Sequence, residues 1–533
     1  MAYQPKAIIY GTSDADNYIA VPVTGEGHLE VAIHSPRLPF GEVAVESLTS
    51  VFQTDAVYGL NSTEVVSSTD GAAGTATAAS NLFTVGTGGT VAGYYGSIQS
   101  RKRLRYRPGQ GVLARFTMLF SAGIANNIQV VGVGTSESTF AFGYNGTAFG
   151  ILHSTDGKRK IETLTISGTV TAGTAAVTLN SAAAVNVTIS STGSATTDHE
   201  QTAYELSKGV YPGWTAQQRG ATVVWLANSV GAKAGTFSIT GIGTPGLAWA
   251  ETLAGTAVTD TWIPQASWNG DVCDGTGSTS NQSGFNITPT YGNVGEIQVQ
   301  YLGFGAVSFR IESAVAGNNP DFINVHTIIF PNSQATPSVS QPSFPFLLST
   351  YNIGTAAGAI TTSVGSFAGF VAGAKFLTGP RMSYFNNTAI TSSVSIYTPL
   401  FTIRNSLVFA ASGVARANQA IVNLLSVSGA TKGNANSITS FFLIKNATIA
   451  AGTPSFSQWA TTSITDYDVA STEVTFSTND QVVWSNTISE TAQFVFSFED
   501  EITLQPGETL TLAVRSITAT STCIGQINTR EDQ

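Results

Sequence analysis

Charge is what this 533-residue sequence has least of: Asp, Glu, Lys and Arg make up 11 % of it, against roughly 25 % in an average globular protein. With 23 Lys plus Arg against 33 Asp plus Glu, the net charge is −10. Sequence-independent nucleic-acid binding, which depends on cations that neutralise phosphates, is therefore excluded as an expectation. Low charge does not imply disorder here. Disorder needs low hydrophobicity together with high net charge, and 42 % of the residues are hydrophobic. Cysteine is nearly absent: Cys273 and Cys523 are far apart, offer no disulfide framework, and read as inert buried thiols. Apolar runs such as 367–374 are short and broken by Gly. None approaches the ~20 residues a spanning helix needs, so no membrane insertion is expected. The opening Met1–Lys6 lacks a basic stretch leading into an apolar run, which predicts synthesis without export.

Spacings that would carry chemistry are missing as well. His28, His34, His153, His199 and His326 are scattered, with no His-x-x-x-His or Cys-x-x-Cys, so no metal site is expected. No nucleophile elbow lies between a strand and a helix, and the βαβ context of a nucleotide fingerprint does not occur. No cofactor is expected. Local carboxylate pairs occur at Asp14 and Asp16, at Asp271 and Asp274, and in Glu499-Asp500-Glu501. Two carboxylates could serve glycoside hydrolysis, but Asp is a common turn residue and these read as solvated turn carboxylates. The chain is expected not to be an enzyme.

What fills the sequence instead is Gly (54 residues), Ser, Thr, Ala and Asn, arranged around alternating apolar and polar runs. Val112–Phe120, Glu296–Tyr301 and Val307–Glu312 read as strands; in the last, Val307, Phe309 and Ile311 share one face. Asn145-Gly146 and Asp156-Gly157 suit tight hairpin turns. The expected fold is mainly β: tandem antiparallel, jelly-roll-like β-sandwiches with one small inserted α+β module. The module falls at 162–261, with a helix capped by Thr196, Thr197 or Asp198 and carrying Ala203, Leu206 and Val210 at i, i+3 and i+7. An N-terminal arm occupies 1–37, and the first sandwich is split between 38–161 and 262–335. A Pro/Ser-rich stretch at 336–345 reads as a linker, and a C-terminal sandwich follows at 346–533.

One charge feature stands out, Arg101-Lys102-Arg103-Leu104-Arg105-Tyr106-Arg107. Arg101, Lys102, Arg103, Arg105 and Arg107 are the candidate assembly contact, where Arg would pair with carboxylates of another subunit. A cationic edge strand and an anion contact are the other readings. Trp214, Trp225, Trp249, Trp262 and Trp268 cluster in or just after the module. They read as core or interface residues, with a sugar-binding platform as the alternative.

Three stretches together resemble a family of virion structural proteins of tailed phages and large DNA viruses. They are Leu38-Pro-Phe-Gly-Glu through Val51-Phe-Gln53, Tyr106-Arg-Pro-Gly-Gln-Gly111 through Phe140–Ile151, and Gly292–Ala306 leading to Val325-His326. The Leu504-Gln-Pro-Gly-Glu-Thr-Leu510 region is similar to that family's C-terminal sandwich. The resemblance implies a virion structural role, with no catalytic or cofactor residues to carry over. The expected function is a tail, baseplate or fibre subunit, assembled in the host cytoplasm and located in the virion. Its expected partners are copies of itself, as trimers or hexamers, other virion proteins, and a host-surface glycan or protein. A capsid decoration or vertex-spike protein is the alternative, and a glycan-cleaving tail enzyme a third reading.

Overall fold

A computed structural model describes residues 48–107, 110–191, 195–313, 321–373, 379–411, 414–433, 437–478, 481–498 and 502–532, with the backbone of the paired strands Tyr10–Thr12 and Tyr18–Ala20. The rest of the expected N-terminal arm lies outside the described residues, as do residues 38–47, His28, His34, Asp14, Asp16 and the 499–501 carboxylates. Strand makes up 58 % of the protein and helix 3 %. The fold is mainly β and sandwich-like, as the alternation predicts.

In the first sandwich a seven-stranded sheet runs in the order Thr259–Pro264, Ala148–Thr155, Ser138–Asn145, Asn127–Thr135, Phe346–Asn352, Tyr95–Ser100, Val65–Thr69. The facing sheet centres on Val112–Phe120. On one side follow Asn293–Val299, Val307–Glu312 and Phe322–Ile328; on the other, Thr361–Val364 and Ser366–Ala372 share its edge. Val307, Phe309 and Ile311 are buried, and Ser308, Arg310 and Glu312 alternate with them. Between the sheets lies a phenylalanine-rich core that includes Phe83, Phe116, Phe142, Phe309, Phe346 and Phe367. Phe346 and Phe367 stack at 3.9 Å, and Phe142 meets Phe309 edge-on at 5.4 Å. Each such ring buries a large apolar area, which makes this core the main stabilising element of the lobe.

The pairing moves a boundary. Phe346–Asn352 and Ser366–Ala372, which the sequence reading assigned to the C-terminal sandwich, belong to the sheets of the first. Nor do residues 336–345 behave as a linker. Val339 and Phe344 are buried in the first core, Ser343–Phe344 pairs with Leu104–Arg105, and Tyr301 donates its hydroxyl to the Val339 carbonyl. The physical reason is that proline removes a donor and leaves its acceptor. The carbonyls of Pro342 and Pro345 accept from Tyr106 N–H (3.0 Å) and Gly134 N–H (2.9 Å).

Ala148–Thr155 and Thr259–Pro264 are antiparallel neighbours with Thr155 opposite Thr259, so everything between them is an insertion into one hairpin. Its neck is the Lys158–Thr256 bridge, closed by two backbone hydrogen bonds of 3.0 Å. Asp156, at a φ of 65°, turns the chain into this neck and makes no tight hairpin with Gly157. The module has a four-stranded sheet (Trp214–Arg219, Thr222–Val230, Arg159–Val170, Gly243–Leu253), a three-stranded sheet (Val185–Ile189, Gly173–Thr178, Ser238–Thr240) and helix α1, Ala195–Ser207. Ala203 and Leu206 of α1 are fully buried in the module's own core beside Trp225. Val210 lies beyond the helix and is exposed, contrary to the i+7 expectation. The last turn ends at Ser207, and Tyr211 donates its hydroxyl to the Leu206 carbonyl (2.6 Å), covering that end in Val210's place.

The second sandwich pairs one sheet built on Ile421–Gly433 and Ser521–Asp532 with another built on Thr398–Asn405, Thr509–Ser516 and Ile438–Lys445. Its core includes Tyr384, Phe401, Phe441, Leu512 and Cys523. The module docks on it through Ile161 and Leu226 against Leu407, Val408, Ala415 and Ala417. Beside this apolar contact, the fully buried Asp466 binds Arg404 (2.8 Å) from its own lobe and Arg219 (2.9 Å) from the module. Gln217 accepts from Leu407 N–H (2.7 Å), Gln218 donates to the Pro454 carbonyl (2.8 Å), and the Arg404 guanidinium lies 3.9 Å over the Phe456 ring.

Two tests follow from this architecture. A fragment spanning Lys158–Thr256 owns its core and its neck, so it should unfold cooperatively on its own, as followed by circular dichroism; a molten fragment would mean the lobe depends on its neighbours. Asp466→Asn leaves two guanidinium groups facing each other without the carboxylate that joins them, and breaking a buried pair costs about 3–5 kcal/mol. A clear drop in the urea midpoint, read by tryptophan fluorescence, is expected; an unchanged midpoint would show the cluster to be energetically neutral.

Candidate functional site

The three lobes enclose a cleft of about 920 Å³ over the outer face of the seven-stranded sheet. Side chains alternate across a strand, so residues flanking the buried ones face outward in cross-strand rows. One row runs Ser68, Ser97, Ser349, Val130, Gly143, and its neighbour runs Gln99, Leu347, Gly132, Ala141, Leu152, Trp262. The small residues Gly132, Gly143 and Ala141 keep the floor low. Ile128, Val130, Ala141, Leu152 and Leu347, with Trp262 and Tyr351 half-buried against them, form a second, outer apolar cluster on this face. Tyr95 and Tyr351 stand side by side at one end, and the Tyr95 and Ser68 hydroxyls are 2.9 Å apart.

The walls come from elsewhere in the chain. Pro212, Gly213, Asn228 and Ser229 belong to the module, Thr135, Ser136 and Glu137 to a hairpin turn, and Gln419 to the second sandwich. Carboxylates in the cleft are engaged. Glu137 binds Arg159 (2.9 Å) and accepts from Gln419 Nε2 (2.8 Å); Asp260 accepts from Ser154 Oγ (2.5 Å). Asp70 accepts from Gly74 N–H (2.6 Å) and Ala73 N–H (3.2 Å). Burial works to raise its pKa, but these backbone donors hold the carboxyl below its usual value. Burial pushes Tyr351 up to about 12, helped by Asp260.

The basic run bridges lobes within one chain. Arg101 pairs with Glu508 at 2.8 Å, and Arg105 and Arg107 reach Asp532 at 3.5 and 3.0 Å. Gln505 adds a bond to the Arg101 carbonyl (2.7 Å), and Lys445 shares Glu508 (2.9 Å). The carboxylate partners that the sequence reading sought on another subunit are thus supplied by the second sandwich, because residues more than 400 positions away fold onto the run. Lys102 is exposed. Arg103 points the other way: it lines the cleft, and its buried Nε and Nη1 have no hydrogen-bond partner. Burial, with Arg159 nearby, pushes its pKa down to about 10 while Glu137 works upward, so it stays cationic at neutral pH.

Other sequence candidates are structural. Asp271 and Asp274 cap turns, accepting from Cys273 N–H (2.9 Å), Ser283 N–H (2.8 Å) and Thr276 N–H (3.0 Å). Trp214, Trp225 and Trp268 are core residues, and Trp249 stacks on Trp225 at 5.1 Å. No group of His, Cys, Asp and Glu among the described residues could hold a metal ion. His199 contacts the Gly168 carbonyl (2.5 Å), and His326 Nδ1 accepts from Asn269 N–H (3.1 Å). Both cysteines are buried; burial first, then Asp271, raises Cys273, and burial raises Cys523 to about 11. Sequence reasoning missed the cleft. Its only signal was the double-sided burial of Asn127–Thr135, which shows in an apolar run without alternation.

No family model matches the chain, and no curated protein matches it. Among solved structures, a chain similar to part of it is the lectin UEA-II complexed with galactose. The likeness is 8 % identical over 61 % of this chain and 100 % of that one, with a TM-score of 0.20. At that level it carries no argument about this protein.

His153 lends itself to a pH test. Its ring stacks on Phe140 at 5.0 Å and meets Phe330 edge-on at 5.3 Å. Burial pushes its pKa down to about 4, with Asp156 opposing. The unfolded chain binds more protons between pH 6.5 and pH 4, so stability is full above that window and declines as pH falls through it, by roughly 3 kcal/mol at most. His153→Phe should flatten that part of the stability–pH curve. The same slope in wild type and variant would assign it to other groups.

Proposed function

We propose that this chain is a virion structural protein, a tail, baseplate or fibre subunit that assembles by protein–protein contacts. The observation that carries the reading is the way the β lobes are fused. Buried ionic and amide contacts at Asp466 and Gln217 tie module to second sandwich, and the Arg101, Arg105 and Arg107 pairs tie first sandwich to second. Antiparallel lobes joined this way behave as one stiff body, the mechanical property a particle component needs. A surface poor in charge lets copies pack closely without long-range repulsion.

With Arg101, Arg105 and Arg107 engaged internally, another surface is the better candidate for assembly. Ala492–Ser497 is at the edge of its sheet, with Val495 77 % and Phe496 45 % exposed. Ile524 and Phe385 add exposed apolar surface two and three strands further into the same sheet. An unpaired apolar edge invites a strand from another chain. Light scattering at micromolar concentration should find a symmetric oligomer, and Val495→Lys should shift it towards monomer. A strictly monomeric wild type, with no copy of the chain located in a reconstructed particle, would sink the proposal.

A further inference from the structure

We propose that the cleft between the seven-stranded sheet, the module and Gln419 is a binding site for an acidic oligosaccharide, whose carboxylate is received by Arg103. The inference does not depend on where the chain sits in a particle, since it concerns the isolated protein.

Unmet hydrogen bonding is what points to a ligand. A buried donor without an acceptor costs about 1–3 kcal/mol, and more when it is charged. Arg103 Nε and Nη1 are in this position, and so, on the acceptor side, is the buried Oε1 of Gln419. Both side chains line the same cleft. Around them every carboxylate is already engaged: Glu137 by Arg159 and Gln419, Asp70 by backbone N–H groups, Asp260 by Ser154. The cleft therefore offers one cation and one acceptor whose hydrogen bonding is unmet. A carboxylate satisfies the first through a charge-assisted hydrogen bond, and a sugar hydroxyl beside it satisfies the second.

The remaining surface selects the rest of the ligand. Ser68, Ser97 and Ser349 form a hydroxyl row on the floor, and Thr135, Ser136 and Ser229 line the walls. Tyr95 and Tyr351 supply rings at one end, of the kind that pack against the apolar faces of pyranoses. Hydroxyls spaced along the trough suit a polyol, and Val130, Leu152 and Leu347 among them give apolar surface for its ring faces. The volume, about 920 Å³, lies at the upper end of small-ligand clefts, roughly 300–1,000 Å³, and accommodates more than a single sugar ring. The basic run thus divides its labour: Arg101, Arg105 and Arg107 hold the lobes together, and that closure leaves Arg103 enclosed beside the cleft.

The test is binding of the full-length protein to immobilised uronate and sialate oligosaccharides, each printed beside its carboxyl-reduced, neutral counterpart. At least one acidic probe should bind and its neutral form should bind at least 10-fold more weakly. Arg103→Met should weaken binding of the acidic probe by about 10- to 100-fold, the loss of a charge-assisted hydrogen bond, while Arg515→Met, on the second sandwich away from the cleft, should not. Binding to one acidic class alone identifies the sugar. Because Arg103→Met could disturb the lobe junction, Ser349→Trp, which fills the trough from its floor, serves as a second variant; it should abolish binding with the thermal midpoint retained. No acidic probe bound, equal binding of neutral and acidic forms, or undiminished binding by a folded Ser349→Trp would each overturn the proposal.

Discussion

The arrangement of lobes turns on a single carboxylate. Asp466 has no exposure to solvent and sits between Arg404, on an adjacent strand of its own sheet, and Arg219, at the end of a strand of the module. A charge so placed is tolerated only if its partners stay within hydrogen-bonding distance. The burial of Arg404 pushes its guanidinium below the ordinary arginine value, and Asp466 opposes that shift. Holding the triad together fixes how the module lies on the second sandwich. That pose in turn brings Pro212, Gly213, Asn228 and Ser229 over the outer face of the first sandwich.

A second set of contacts closes the triangle. The first sandwich, through Arg101, Arg105 and Arg107, reaches Glu508 and Asp532 on the second. Gln419 crosses the same junction to Glu137, which also receives Arg159 from the root of the module. Glu137 thereby contacts all of the lobes' contributions at one point. These partly exposed pairs are individually weak, but they join bodies whose own cores are large, and the apolar contact of Leu226 and Ile161 with Leu407 and Val408 carries the dispersion and hydrophobic share of the docking. The cleft exists because three convex bodies meeting in this way cannot fill the space between them.

The legible parts of the fold were those governed by neighbours along the chain. Val307–Glu312 alternates in sequence and in burial, and Asn145-Gly146 turns between paired strands with Gly146 at a φ of 61°. Ala203 and Leu206 announced the buried face of α1 by their spacing. Where an interaction runs between distant segments, local signals misled. Prolines 342 and 345 suggested a break, yet their carbonyls serve as acceptors and Phe346–Asn352 enters the centre of a sheet. The arginine run suggested an outward contact, because nothing near it in sequence could reveal that Glu508 and Asp532 fold back onto it.

By itself, then, the sequence determined the mainly antiparallel β character and the position of the inserted module to within a few residues. These follow from periodicity and composition, which act over a few residues. Tertiary structure alone decided which sandwich owns Phe346–Ala372, which carboxylates the arginines meet, and that Arg103 and the unpaired Oε1 of Gln419 border one cleft. Pairing between distant strands and the desolvation of charges at lobe junctions depend on long-range packing, and no window of neighbouring residues contains that information.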